Sequence, residues 1–265
     1  MYNLIRADLF KIRKSTAAKI LFGITTISAV IMAVMAYLIQ QGKIAGSMTG
    51  IGFMFSDADV ISILGAVIAG VFICGDFDNR TIHDAVASGC GRGTIIVSEA
   101  ITFFCTLVFI LLPYAIVTGI ALGTGSKFDM GSVAVSFLNI LTSEGGKSFS
   151  ASELWKLIAI MLTLIIVYLG RLSICIPLAL VLKKPILVVA IYYGFTIFCA
   201  SLTVLINSSK LLGRIWDCTP FGGKYSILTM NTGAGDFFKA IAVSLAFIIV
   251  MLVITYSIFR KSEIK

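Results

Sequence analysis

Six stretches of this chain are apolar for about as long as a helix must be to cross a bilayer core, roughly 20 residues, and nothing else in the sequence constrains the fold as strongly. They run from about Ala17 to Ile39, Val60 to Gly75, Thr94 to Leu122, Leu154 to Leu182, Ile186 to Ile206 and Phe237 to Phe259. The second is slightly short and is expected to extend outward through Phe53 to Phe55. Composition agrees: 58% of the 265 residues are hydrophobic and 13% charged, where soluble domains carry about a quarter charged. Mean hydropathy is +1.04. The expected fold is an all-α integral membrane protein, one domain over residues 1–265, with neither an internal repeat nor a second soluble domain.

Six crossings put both termini on one side, and the basic residues say which. With the termini inside, twelve cations (Arg6, Lys11, Arg13, Lys14, Lys19, Arg80, Arg92, Lys183, Lys184, Arg260, Lys261 and Lys265) fall in inner pieces totalling only about 45 residues. Eight others (Lys43, Lys127, Lys147, Lys156, Lys210, Arg214, Lys224 and Lys239) are spread over about 80 outer residues. Cytoplasmic termini are therefore expected. The net charge of +8 is read as topogenic and headgroup-facing, without a nucleic-acid partner.

The N-terminal stretch MYNLIRADLFKIRKS, within residues 1–16, places Tyr2, Leu4, Ile5, Leu9 and Ile12 on one half of a helical wheel. Arg6, Lys11, Arg13 and Lys14 take the other half, with Phe10 the exception. That is the pattern of a helix lying in the membrane interface with its cations toward anionic lipid. A following apolar run of about 20 residues is longer than a signal-peptide core, so AVMA at Ala33 to Ala36 is read as part of an uncleaved span. Two outer segments, 123–153 and 207–236, mix Gly, Ser and Thr with apolar residues and are expected to be extracellular.

Signs of chemistry are sparse. His83 is the single histidine, so no histidine-based triad or polyhistidine metal site is expected. The six cysteines form no Cys-x-x-Cys pair, and three lie inside apolar runs; neither a disulfide framework nor a zinc site is expected. GGKS at Gly145 to Ser148 falls short of a phosphate-binding loop, because Leu141 stands where its first glycine belongs. No ladder of buried carboxylates of the kind used by proton-coupled pumps is visible. Arg171, in VYLGRLSICIP, is the one clear intramembrane charge, about 11 residues or roughly 16 Å from the inner end of its helix. It either lines a translocation pathway, pairs with a neighbouring carboxylate, or contacts backbone carbonyls or headgroups. Pro113 and Pro177 can kink their spans, and Gly119 with Gly123 forms one GxxxG pair.

The longest polar interruption in the first half is GDFDNRTIHDAVASGCGR, Gly75 to Arg92, between the second and third spans. Asp78 suits an N-cap and Gly89 a stop. Between them Ile82, Ala85 and Val86 share a face, with Arg80, His83 and Asp84 mostly turned away. A helix this short is unstable in water alone, so its apolar face is expected to rest on the bundle or on another protein.

This insert resembles the loop after the second span in permease subunits of type-2 ABC exporters. The shared features are Asp76 with Phe77, the Thr81–Ile82 pair, and Gly89 with Arg92 ahead of the third helix, continued by Ile95 and Ile96. Ser98 departs from the pattern, where the family often has Lys. WDCTPFGG before the last span and the ending FRKSEIK are also similar. The resemblance implies a coupling helix seated in a cleft of a separate ATPase, with two permease chains and two ATPase chains per transporter. ATP and magnesium would then be bound by the partner ATPase, and this chain would itself be non-enzymatic and without a cofactor. It further implies that Ile82, Ala85 and Val86 dock, while Arg80, Asp84 and Arg92 tune orientation. By the same resemblance the cargo is an amphipathic or antimicrobial peptide. The alternatives are a small-molecule or multidrug exporter of the same build, and an ATP-independent scaffold or sensor; a membrane enzyme lacks the buried histidine or acidic pairs it would need.

Overall fold

The computed structural model describes residues 2–45, 48–79, 81–131, 134–206 and 210–261. Helices account for the regular structure of these residues, and no strand occurs among them. Six helical stretches are long and apolar enough to cross a membrane: Thr16–Gln40, Thr49–Asp78, Arg92–Gly123, Ala151–Leu182, Pro185–Leu202 and Ala234–Lys261. The chain is an all-α, multi-pass membrane protein.

Helix α1 (Tyr2–Lys14) is separated from α2 (Thr16–Gln40) by Ser15, whose extended backbone turns α1 off the axis of the first span. α1 lies on the start of α7 (Arg92–Gly123), the third span. Ile12 is buried there, whereas Phe10 stays exposed with the Lys14 ammonium over its ring.

The second span is assembled from pieces: α3 (Thr49–Met54), α4 (Asp57–Ala69), a π-helical turn at Gly70–Cys74, and α5 (Gly75–Asp78). It extends three residues beyond the end expected from hydropathy, taking in Asp76 and Phe77. The π turn sits where the second span meets the hairpin between the fourth and fifth. A side chain at Gly70 would come within 2.9 Å of the Pro185 backbone, so this approach requires glycine.

The fourth span is α9 (Ala151–Leu172) followed by α10 (Cys175–Leu182). The break at 173–174 falls at the residue whose carbonyl the Pro177 ring would strike four positions on. α9 begins with a capping box, the Ser150 amide donating to Glu153 Oε2 at 2.7 Å. Lys183 in a left-handed conformation ends α10, and Pro185 opens α11 (Pro185–Ile206). Pro113, by contrast, lies within the unbroken α7. Gly119 and Gly123 face open space, so among the described residues the GxxxG pair joins no helices.

The far end, opposite the termini, is closed by α8 (Ser136–Glu144) and by the connection through α12 (Lys210–Trp216) to the last span, α13 (Ala234–Lys261). Asp57 holds the start of α8: its carboxylate accepts from the Phe137 amide at 3.3 Å and from the Tyr168 hydroxyl. Glu144 holds the other end, accepting from the Met230 amide at 3.0 Å and from Lys147 at 2.7 Å. Both carboxylates are buried.

Part of the 207–236 segment folds back between the helices. The Phe221 ring lies 5.3 Å from Phe195 and 6.2 Å from Phe247, which stands halfway along α13. Irregular backbone at that depth is tolerated where protein surrounds it and satisfies its polar groups. Here Pro220 and Tyr225 are buried, and the Thr219 and Gly222 amides bond to the carbonyls of Trp216 and Thr219.

Candidate functional site

The quoted insert folds into α6 (Thr81–Ala87), shorter than its pattern suggested. It is closed by Gly89 at φ +87, with the Gly89 amide on the Val86 carbonyl and the Cys90 amide on the Ala85 carbonyl. That pair of reversed bonds is a helix stop that needs a left-handed residue at position 89. Arg80 lies outside the described residues, as do the last four residues of the FRKSEIK ending.

Asp76 is the hub of this end. Its carboxylate is 7% exposed, ion-pairs with Lys11 of α1, and accepts from the Thr81 hydroxyl at 2.7 Å. Thr81 also bonds the Asp76 carbonyl at 3.0 Å. One residue therefore ties the end of the second span to α1 and to the first turn of α6. Alongside, Ser98 of α7 donates to Asp8 of α1 at 2.9 Å, and Glu99 lies against Asp76 and Asp8. Burial raises the Asp8 carboxyl above its ordinary value; the Ser98 bond opposes the rise, Asp76 adds to it and Lys11 opposes it. This group of carboxylates was not read from the sequence, because its three members sit on three different elements, α1, α5 and α7.

The other motif residues join the same end to the remaining spans. The Lys183 ammonium sits 5.0 Å from the centre of the Phe77 ring, linking the second span to the turn between α10 and α11. Arg92 donates to the Arg260 carbonyl at 2.6 Å and the Phe259 carbonyl at 3.3 Å. It thus places a cation on the last carbonyls of α13, where the helix dipole favours one.

The docking face needs correcting. Ile82, expected to meet a partner, is buried at 2% exposure, and Ala85 and Val86 pack half-buried against the core. The reason is the one that makes the helix necessary: a seven-residue helix holds its shape only by spending its apolar face on its own bundle. What it presents outward is Asp84, Ala87 and Ser88, with Asp78 and Asn79 just ahead of it.

Arg171 occupies a second, separate site. Its Nε donates to the Pro220 carbonyl at 2.8 Å and its Nη2 to the Ser226 hydroxyl. The guanidinium lies 5.9 Å from the Tyr168 ring centre and 5.8 Å from that of Phe221. Of the three roles left open by sequence, the contact with backbone carbonyl is observed, and among the described residues no carboxylate pairs with it. It also lines a cavity of about 530 Å³ between the second, fourth and fifth spans and the re-entrant segment. WDCTPFGG carried a usable signal for that segment: aromatic and turn residues at a place where an outer loop would be polar.

No protein-family model matches this sequence, and a search of curated proteins finds no match.

Proposed function

We propose that the chain is the permease subunit of an ATP-driven exporter in a bacterial plasma membrane, with both termini cytoplasmic. The observation that carries this reading is the Asp76 hub. A short surface helix with a polar outer face is fixed, through Asp76, Lys11 and Thr81, to the second span and the interfacial helix. A push on α6 thus reaches the ends of two membrane elements directly, as a coupling helix requires. The basic residues gathered at this end support its cytoplasmic placement.

In this reading two permease chains pair with two copies of a separate ATPase, which supplies ATP, magnesium and hydrolysis. Cargo is an amphipathic peptide. The apolar, laterally exposed spans suit a substrate taken from the bilayer.

The test is reconstitution. The chain is purified from its native membrane with whatever ATPase accompanies it, placed in lipid vesicles, and assayed for hydrolysis with and without amphipathic peptides. An ABC-type ATPase in equal number with this chain, stimulated by peptide, is the expected result. Purification of the chain with no ATPase under conditions that preserve its fold overturns the reading; stimulation by small drugs alone reassigns the cargo.

A further inference from the structure

The Arg171 cavity holds two charges of opposite sign, and among the described residues neither forms an ion pair. Arg171 spends Nε and Nη2 on Pro220 and Ser226, and no hydrogen bond is made by Nη1 among the described residues. Asp59, in the first turn of α4, lines the same cavity, half-buried, with neither a hydrogen bond nor an ion pair among the described residues. Charges within membrane spans are costly unless paired or in use.

The two charges stand on facing spans, the second and the fourth. Leu172 packs on Gly65, where a Cβ would come within 2.5 Å of the Leu172 side chain. Asp59 stands six residues nearer the far end on α4, about 9 Å at 1.5 Å per residue. Tyr168, Tyr192 and Phe221 supply aromatic wall between the charges. A volume of about 530 Å³ falls within the range of small-ligand pockets, ~300–1,000 Å³.

We propose that this cavity binds a short zwitterionic peptide, its carboxylate on Arg171 and its ammonium on Asp59. A folded helical peptide is too large for it. That the occupant is cargo rests on the exporter reading; the site itself does not.

The experiment measures binding of the tripeptide Phe-Leu-Phe to the purified full chain in phosphatidylcholine and phosphatidylglycerol nanodiscs, by titration calorimetry without any ATPase. The free-ended peptide is expected to bind saturably, and its N-acetyl and C-amide forms about tenfold more weakly. Asp59→Asn is expected to weaken the free-ended peptide by about tenfold and leave the N-acetyl form unchanged. Asp59 holds no structural bond among the described residues, so this variant separates recognition from folding; a thermal unfolding curve like that of the parent confirms it. The proposal fails if the parent shows no saturable binding, if Asp59→Asn leaves the free-ended peptide unaffected, or if it weakens both forms equally. Displacement of the peptide by added phosphatidylethanolamine assigns the site to lipid and also overturns it. Failure here with peptide-stimulated hydrolysis intact leaves the exporter reading standing, and binding without an associated ATPase leaves the site standing.

Discussion

At the scale of single residues, this protein is organised by carboxylates buried at helix ends. Asp57→Ala strips the acceptor from the Tyr168 hydroxyl and from the Phe137 amide, leaving buried donors unpaired. A loss of about 3 kcal/mol is expected, measured as a lowered unfolding midpoint in detergent, with Asp57→Asn milder. Lys11→Met leaves the buried Asp76 without its cation. Because the lysine is 43% exposed, water screens the pair and the cost should be modest, about 1 kcal/mol, with Lys11→Arg retaining most of it. Asp8 gives a pH dependence of defined sign. Folding raises its carboxyl above the ordinary 3.8, so the folded chain holds that proton more tightly than the unfolded one. The stability that Asp8 contributes should therefore fall as pH climbs from 3.8 through the raised value and flatten beyond it; Asp8→Asn should remove that contribution. Little of this was legible in advance. Asp76 stood inside a motif, but Asp57 reads in sequence as the polar edge of a span, and its partners Phe137 and Tyr168 lie some 80 and 111 residues away.

At the scale of elements, the spans were readable because hydropathy over about 20 residues integrates many weak preferences into one strong one. The break ahead of Pro177 and the stop at Gly89 were readable too, since each follows from the backbone of one residue. The π turn and the re-entrant segment were not, because both depend on what lies opposite them. Gly70 makes the point. Nothing local marks it, yet Gly70→Val would drive a side chain into the Pro185 backbone and force the second span away from the hairpin that opens the fifth. A destabilisation of about 2 kcal/mol is expected, checked by the same unfolding measurement, with Gly75→Ala as a control because a Cβ there meets open space. The face of α6 taught the same lesson. Periodicity located the apolar side correctly, and the pattern alone left open whether the bundle or another protein would cover it.

At the scale of the whole molecule, the end bearing the termini is a connected plate. Lys11, Asp76, Thr81, Phe77, Lys183, Arg92 and the last carbonyls of α13 link α1 and α6 to the second, third, fifth and sixth spans. The far end is a separate closure built on Asp57, Glu144 and Arg171, and the zwitterion cavity lies beneath it. In the exporter reading, force enters at the plate and the cavity changes shape at the other end. The residue that most directly probes this arrangement is Ala87, exposed on α6 and clear of the Asp76 hub. Ala87→Arg, in the chain reconstituted with its ATPase, is expected to leave folding and membrane insertion intact while reducing ATPase co-purification and peptide-stimulated hydrolysis at least about tenfold. A well-folded Ala87→Arg protein that retains full ATPase association and full stimulation would contradict the assignment of α6 as the point where energy enters.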